Sequence, residues 1–195
     1  GEHVMLNKKL LLVIFIFACV SLVIAATALA QSEPNPMLQE ELGEFLYFDT
    51  NLSSPPGQAC SSCHEPEFGF DDPDSDLPVS QGVLPRNRFG NRNSPISAYA
   101  MYSPIRHIDD EGLYVGGQFW DSRATGEVLK DPLADQALGP FLNPLEMNNP
   151  SKLIVVEKVK LSAYADLFEQ VWGEGSLDDV ESAYDKIALS IAAFE

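Results

Sequence analysis

Apolar residues recur at helical spacing near residue 40, with polar residues between them. Leucine or phenylalanine stands at positions 38, 42, 45 and 46, and acidic or amide side chains fill positions 39, 40, 41 and 44. Apolar positions three and four residues apart lie on one face of an α-helix. The pattern therefore predicts an amphipathic helix over residues 37 to 48.

The same spacing returns after residue 150, in three segments that each follow a serine. Ser151, Ser162 and Ser176 are the expected N-caps of three helices, because a serine hydroxyl accepts a hydrogen bond from a free N–H of the first helical turn. Asp179, three residues after Ser176, is placed as in a capping box. The apolar face of the last segment consists of Val180, Tyr184, Ile187, Ala188 and Ile191.

Residues 51 to 117 show no sustained period and are rich in Pro, Gly, Asn, Asp and Ser. Loops of this length are usually functional or disordered, and a bound apolar cofactor supplies surface that orders them. The acidic run at 71 to 76 lacks the glycine and the final glutamate of an EF-hand, so we expect a solvated loop there. The expected fold class is mainly α, with long ordered loops.

The first thirty residues have the pattern of a secretory signal peptide. A short basic stretch precedes an apolar run from Leu10, and Ala28-Leu29-Ala30 forms a small-x-small cleavage site. The alternative is an uncleaved membrane anchor, because residues 10 to 30 are long enough to span a bilayer. We expect residues 1 to 30 to direct export to the periplasm and residues 31 to 195 to form one domain.

The pentapeptide Cys60-Ser61-Ser62-Cys63-His64 prescribes a chemistry, because Cys-x-x-Cys-His is the attachment motif of a c-type haem. Two cysteines at this spacing form thioethers to the two vinyl groups of one porphyrin, and the adjacent His64 then binds the iron as its proximal ligand. The motif predicts one covalently bound haem c in this chain.

Two other readings of the motif fit poorly. A redox dithiol needs a strand before it and a long helix after it, whereas proline and glycine flank this motif on both sides. A zinc site needs a second pair of ligands, and the remaining candidates are only Cys19, His3 and His107.

The formal net charge of −17 makes nucleic acid an unsuitable partner, because a polyanion is repelled. An acidic surface instead steers basic proteins toward it, and small electron-transfer proteins are natural candidates.

Five stretches, together with the haem motif, resemble the bacterial di-haem cytochrome c peroxidase and MauG family, specifically its N-terminal, peroxidatic haem domain. They are LGEFLYFDTNLSS at 42 to 54, ACSSCHEPEFGFDD at 59 to 72, GNRNSP at 90 to 95, GGQFWDSRA at 116 to 124, and DPLADQALGPFLNPLEM at 131 to 147. The resemblance implies a cytochrome c-like haem domain that reduces hydrogen peroxide with electrons from a small cytochrome c or cupredoxin-type donor, or that oxidises a protein substrate as MauG-like oxidases do.

The resemblance also implies residue roles. Glu146 corresponds to the acid-base residue of the peroxidatic pocket, and Gln136 to its neighbour that orients the peroxide. Trp120 resembles the tryptophan that lies between the two haems, and Asn93 the asparagine that binds an interdomain calcium. Arg123 is a candidate partner of a haem propionate, because its guanidinium forms bidentate ion pairs.

The chain departs from the family pattern at two points. Residues 72 to 98 contain no histidine that would cap the iron, so we expect an open, high-spin haem. His107 is expected to be a surface or hydrogen-bonded histidine. The family's second haem domain is absent, and the last predicted helix still runs at residue 195, so we expect a truncated chain whose activity alone is in doubt.

Two alternatives from other classes stay open. A monohaem electron-transfer cytochrome would have two protein ligands to the iron, and Met101 and Met147 are the candidate sixth ligands, although methionine is more often a core residue. A regulatory or structural haem domain also fits the motif.

Overall fold

Regular structure in this computed structural model is almost entirely helical. The structure describes residues 33–74, 76–83 and 88–195, and in these ranges it has five α-helices: α1 Pro36–Phe48, α2 Pro132–Ala137, α3 Lys152–Lys160, α4 Ala165–Trp172 and α5 Val180–Phe194. Short 3₁₀ turns cover Thr50–Leu52, Cys60–Ser62, Pro66–Phe68 and Ala100–Tyr102, and β1 His107–Ile108 pairs antiparallel with β2 Tyr114–Val115. The mainly α prediction is confirmed.

Helix α1 begins as its sequence predicts. The Asn35 side chain accepts a hydrogen bond from the N–H of Met37 at 3.1 Å, and Pro36 occupies the first helical position, where its missing N–H costs nothing. Leu42, Leu46 and Tyr47 form the buried face of this helix.

Helices α1 and α5 cross with their backbones in close contact. A Cβ atom added at Gly43 would lie 2.0 Å from the backbone oxygen of Ser190 and 2.8 Å from Cβ of Phe194. Only glycine permits so close an approach of two helices.

The hydrophobic core lies around this crossing and extends to α3 and α4. Its fully buried members include Leu42, Val156, Phe168 and Ile187. Burial of a side chain of this size contributes about 1.5–3 kcal/mol. The residues Pro34–Glu195 form one compact unit around this core.

Two of the three predicted serine caps are wrong. Ser151 does precede α3, although its side chain makes no capping hydrogen bond. Ser162 instead ends the turn after α3, where its hydroxyl donates to the carbonyl of Val159 at 2.7 Å, and α4 begins after Tyr164. Ser176 lies in the turn before α5, and the carboxylate of Asp179 caps that helix by accepting from the N–H of Ser182 at 2.8 Å.

A polar cluster ties the loops to α3. Nζ of Lys158 donates to Oγ of Ser54 and to Oδ1 of Asn149, both at 2.9 Å, and to the carbonyl of Ser53 at 2.5 Å. Nδ2 of Asn149 donates to the carbonyl of Leu52 at 2.7 Å. These contacts fix the segment that follows α1 against residues 147–149.

No helix of the described ranges is both long and apolar enough to cross a bilayer. The predicted signal peptide at 1 to 30 lies outside the described residues.

Candidate haem site

The Cys-x-x-Cys-His motif folds as a tight turn. The amide groups of Cys63 and His64 both donate to the carbonyl of Cys60, at 3.1 and 3.0 Å, and the N–H of Ala59 donates to Oγ of Ser62 at 3.0 Å. The turn directs both thiols and the imidazole into one cavity.

Tyr47 holds this turn against α1. Its buried hydroxyl donates to the backbone carbonyl of His64 at 2.7 Å and lies 3.0 Å from Oγ of Ser97. Burial raises the pKa of the Tyr47 phenol, so it remains a neutral donor. The attachment motif is therefore fixed to the helix crossing through its main chain.

The cavity encloses about 1000 Å³ of empty space, part of it open to solvent. Apolar side chains contribute much of its wall, among them Phe119, Phe141, Leu145 and Ile191. The eight residues that the sequence assigns to the haem, the catalytic site and the calcium site all line it: Cys60, Cys63, His64, Asn93, Trp120, Arg123, Gln136 and Glu146.

The donor set fits a covalently attached haem. Both cysteines are free thiols, and burial raises the pKa of each, so they are neutral in the folded chain. Burial lowers the pKa of His64, while the carbonyls of Phe70 and Pro95 raise it in part, so the imidazole is in the neutral form that binds iron. Within the described residues Nδ1 of His64 is buried without a hydrogen-bond partner.

Glu146 lies in the turn that follows Pro144. Its N–H donates to the carbonyl of Asn143 at 3.0 Å, and its Oε1 accepts from Nδ2 of Asn143 at 2.7 Å. Burial raises the pKa of the Glu146 carboxyl, and the Asn143 amide and the charge of Arg123 offset part of this rise. A half-buried carboxyl with a raised pKa is suited to accept and return a proton.

Arg123 belongs to an exposed ion-pair cluster at the cavity mouth. Asp121 accepts from Arg123 at 2.9 Å and from Arg92 at 2.7 Å, and these contacts lower the pKa of Asp121 to about 2. The Arg123 guanidinium also lies over the ring of Phe119, 3.6 Å from its centroid. Arg92, which the sequence analysis did not single out, brings a second cation to this mouth.

Trp120 and Asn93 meet at the same mouth. Nε1 of Trp120 donates to the backbone carbonyl of Asn93 at 2.8 Å, and the Trp120 side chain is 65% exposed. Gln136 reaches the cavity from α2, which begins at the Asp131 N-cap.

The described residues contain no cluster of three or more His, Cys, Asp or Glu side chains that could hold a metal ion.

The other iron-ligand candidates differ in position. Met101 is 65% exposed and His107 is exposed in β1, with its Nδ1 3.0 Å from the carbonyl of Ile105, and neither lines the cavity. Met147 is buried and does line it.

Glu195 is a cavity residue that the sequence analysis missed. Its carboxyl lies at the end of α5, and within the described chain its Oε2 is buried without a hydrogen-bond partner. Burial raises its pKa to about 8. The apolar pattern of α5 places Ile191 on the buried face, and residue 195 follows one turn later, which is the signal that could have identified it.

A mainly α domain that presents a Cys-x-x-Cys-His turn to an apolar cavity defines a cytochrome c-like haem domain. The comparisons with known proteins give its family: the model of the di-haem cytochrome c peroxidases matches residues 38–195. The chain belongs to this family, and the resemblance noted in the sequence is confirmed.

Individual relatives come from both branches of the family. Methylamine utilization protein MauG of Paracoccus denitrificans is 39% identical over 178 residues, which is 89% of this chain and 44% of that protein. Cytochrome c551 peroxidase of Pseudomonas aeruginosa is 30% identical over 165 residues, 85% of this chain and 40% of that protein. The crystal structure of the diheme peroxidase BthA from Burkholderia thailandensis superposes with a TM-score of 0.72 at 32% identity, covering 83% of this chain and 38% of that one. The chain spans less than half the length of these relatives.

Proposed function

We propose that this chain is the peroxidatic haem domain of a di-haem peroxidase, one that reduces hydrogen peroxide with electrons from a small periplasmic donor. The observation that carries the proposal is a half-buried carboxyl, Glu146, in the same cavity as the Cys-x-x-Cys-His motif. Oxidation of a protein partner, as the MauG relatives suggest, is the variant of this function that uses the same pocket.

Cys60 and Cys63 would hold the haem by thioethers and His64 would bind its iron. When bound, the haem would supply the iron chemistry that reduces peroxide, with the electrons coming from the proposed donor. Glu146 takes the proton from the oxygen that binds and returns it to the oxygen that leaves. Gln136 assists by orienting the peroxide, and Arg123 pairs with a propionate.

Glu146 performs this role better than an exposed carboxylate. Its raised pKa lies closer to the working pH, so the carboxyl is both a stronger base and an acid that still gives up its proton. The positive charge of Arg123 limits this rise in the pKa of Glu146.

A second haem domain is the proposed partner of an exposed apolar surface. Large apolar side chains are solvent-exposed along residues 96 to 120 and include Ile96, Tyr99, Met101, Tyr102, Ile108, Leu113, Tyr114 and Trp120. So many exposed apolar side chains in one segment mark an interaction surface. Trp120 would then assist electron transfer between the haems, and Asn93 would contribute to a calcium site completed by that domain.

The monohaem electron carrier is not favoured, because the relatives found are peroxidases and MauG proteins. The spin state separates the two functions. A carrier has a low-spin haem with two protein ligands, whereas a peroxidatic haem has an open position.

The test uses the chain exported to the periplasm of a host that attaches haem c. We expect covalent haem that survives denaturing electrophoresis and that is lost in Cys60→Ser and Cys63→Ser. The ferric spectrum should be high-spin and change on addition of one equivalent of hydrogen peroxide. In Glu146→Gln the rate of that change should fall about 10²–10⁴-fold, the usual contribution of a general acid-base group.

Glu40→Gln is the matched control, because Glu40 is exposed on α1, away from the cavity. Its rate with peroxide should equal that of the parent chain. A peroxide reaction of equal rate in the parent and in Glu146→Gln would refute the assignment of Glu146, and a low-spin haem indifferent to peroxide would refute the peroxidatic function of this chain.

A further inference from the structure

The side-chain amide of Asn143 has one orientation that satisfies both of its neighbours. Its Oδ1 accepts from the N–H of Leu145 at 3.0 Å, and its Nδ2 donates to Oε1 of Glu146 at 2.7 Å. If the amide were turned over, its oxygen would face a carboxyl oxygen and its NH₂ would face a backbone N–H. The hydrogen-bond network therefore assigns the donor to Glu146.

The backbone of Glu146 is fixed on both sides. Its N–H donates to the carbonyl of Asn143 and its carbonyl accepts from the N–H of Val83, both at 3.0 Å. The remaining freedom is the orientation of the carboxyl group, and the Asn143 amide occupies one of its two oxygens. The other oxygen, Oε2, is then available to the cavity that Glu146 lines.

We propose that Asn143 is a positioning residue that aims the Glu146 carboxyl at the peroxide-binding position. The inference rests on the proposed function of Glu146. A donor to a carboxylate favours the ionised form, so the contact that fixes the geometry also offsets part of the rise that burial causes in the pKa of Glu146.

Other charged and titratable groups line the same cavity. Arg123, from residues 116–124, favours the ionised carboxylate. Arg92 lines the cavity from a loop, and Glu195 lines it from the end of α5. The neutral thiols of Cys60 and Cys63 become uncharged thioethers with haem attached. Asn143 differs from all of these because it makes the direct hydrogen bond.

Asn143→Asp is the sharpest variant. The aspartate keeps an acceptor for the N–H of Leu145, so the turn is preserved, but it replaces the donor to Glu146 by a second carboxyl oxygen. We expect the reaction of the ferric haem-loaded chain with hydrogen peroxide to slow about 10–100-fold. This is the usual effect of removing a hydrogen bond that orients a group at a metal site. The acid limb of its pH profile should move to higher pH, because a nearby carboxylate raises the pKa of Glu146.

A second readout does not involve turnover. Cyanide is added as HCN and must lose its proton on binding, so its association rate with the ferric haem reports the base. We expect this rate to fall by the same factor in Asn143→Asp and its pH dependence to shift in the same direction.

Asn148→Asp is the matched control. Nδ2 of Asn148 donates to the carbonyl of Ser54 at 2.7 Å, so this substitution removes a donor from the same loop without touching Glu146. It should leave both pH profiles unchanged, and the aspartate keeps an acceptor for Arg88, which donates to Oδ1 of Asn148 at 3.1 Å. If Asn143→Asp fails to bind haem, Asn143→Ser is used instead, because serine also accepts from the turn but is too short to reach Glu146.

The double variant Asn143→Asp/Glu146→Gln separates the possible failures. We expect it to be as slow as Glu146→Gln alone, because Asn143 acts through Glu146. If Glu146→Gln reacts like the parent, the proposed function of Glu146 is wrong. If Glu146→Gln is slow while Asn143→Asp keeps the parent rates and pH profiles, or if the two effects multiply, the positioning role of Asn143 is wrong.

Discussion

Gly43 is the position where a small change should have the largest effect on the fold. In Gly43→Ala the new Cβ meets the Ser190 carbonyl oxygen at 2.0 Å. That oxygen belongs to the main chain of α5 and cannot rotate away, so α1 and α5 must separate. The crossing holds the core and the helix that carries Tyr47, and thus also the haem turn.

The magnitude follows from two opposing effects. Overpacking of a core costs about 1–3 kcal/mol, and so short a contact with backbone belongs at the upper end of that range. Alanine is favoured over glycine in a helix by about 1 kcal/mol, which offsets part of the cost. We expect a net loss of about 2 kcal/mol in the free energy of unfolding, which is the overpacking cost of about 3 kcal/mol less the helix-propensity gain of about 1 kcal/mol.

This loss is measured by urea unfolding of the haem-loaded chain, followed by far-ultraviolet circular dichroism. With a slope of about 2 kcal/mol per molar urea, the midpoint should fall by about 1 M. Glu44→Ala is the control, because Glu44 is the exposed neighbour of Gly43 on the same helix, and its change should stay within about 0.5 kcal/mol. A midpoint for Gly43→Ala that equals or exceeds that of the parent chain would refute the reasoning.

Three further predictions concern stability. Tyr47→Phe leaves the half-buried carbonyl of His64 without its donor and should lower the unfolding free energy by about 1 kcal/mol in urea; an unchanged midpoint contradicts this. Asp131→Ala removes the side chain that accepts from the first turn of α2 and should cost about 1 kcal/mol by the same measurement, whereas Glu127→Ala nearby should not. Because burial raises the pKa of Glu195 to about 8, the folded state binds more protons than the unfolded one and stability should fall as pH rises from about 5 to 8; Glu195→Gln should reduce this fall, and an identical slope argues against it.

The sequence predicts the helices better than their first residues. The apolar spacing near residue 40 predicts α1 to within one residue, since the helix runs from Pro36 to Phe48. The caps at Ser162 and Ser176 fail because serine also stabilises turns, and tertiary packing decides which turn continues as a helix. The capping-box pattern predicts Asp179 inside the last helix, whereas its carboxylate caps that helix.

Helix α2 shows a second reason why the sequence does not predict every helix. At six residues it is too short to display a helical period, although Asp131 followed by Pro132 is a recognisable start. The consequence for the site is direct, because Gln136 reaches the cavity from this helix.

The motifs identify residues that line one cavity, but they do not predict the contacts between those residues. The pairing of Trp120 with the carbonyl of Asn93, and of Asn143 with Glu146, depends on how loops fold over each other. No local period encodes such contacts, because loop conformation is set by packing against the rest of the domain.

The haem cavity is built from distant parts of the chain, which bears on the order in which the protein is assembled. The thiols of Cys60 and Cys63 come from an early segment, whereas the wall that contains Ile191 belongs to α5. Contacts between segments so far apart form slowly, because the long intervening chain must first be closed. Before α5 docks, the cavity lacks the wall that contains Ile191. This topology therefore favours attachment of a cofactor to the two thiols before the last helix closes the cavity.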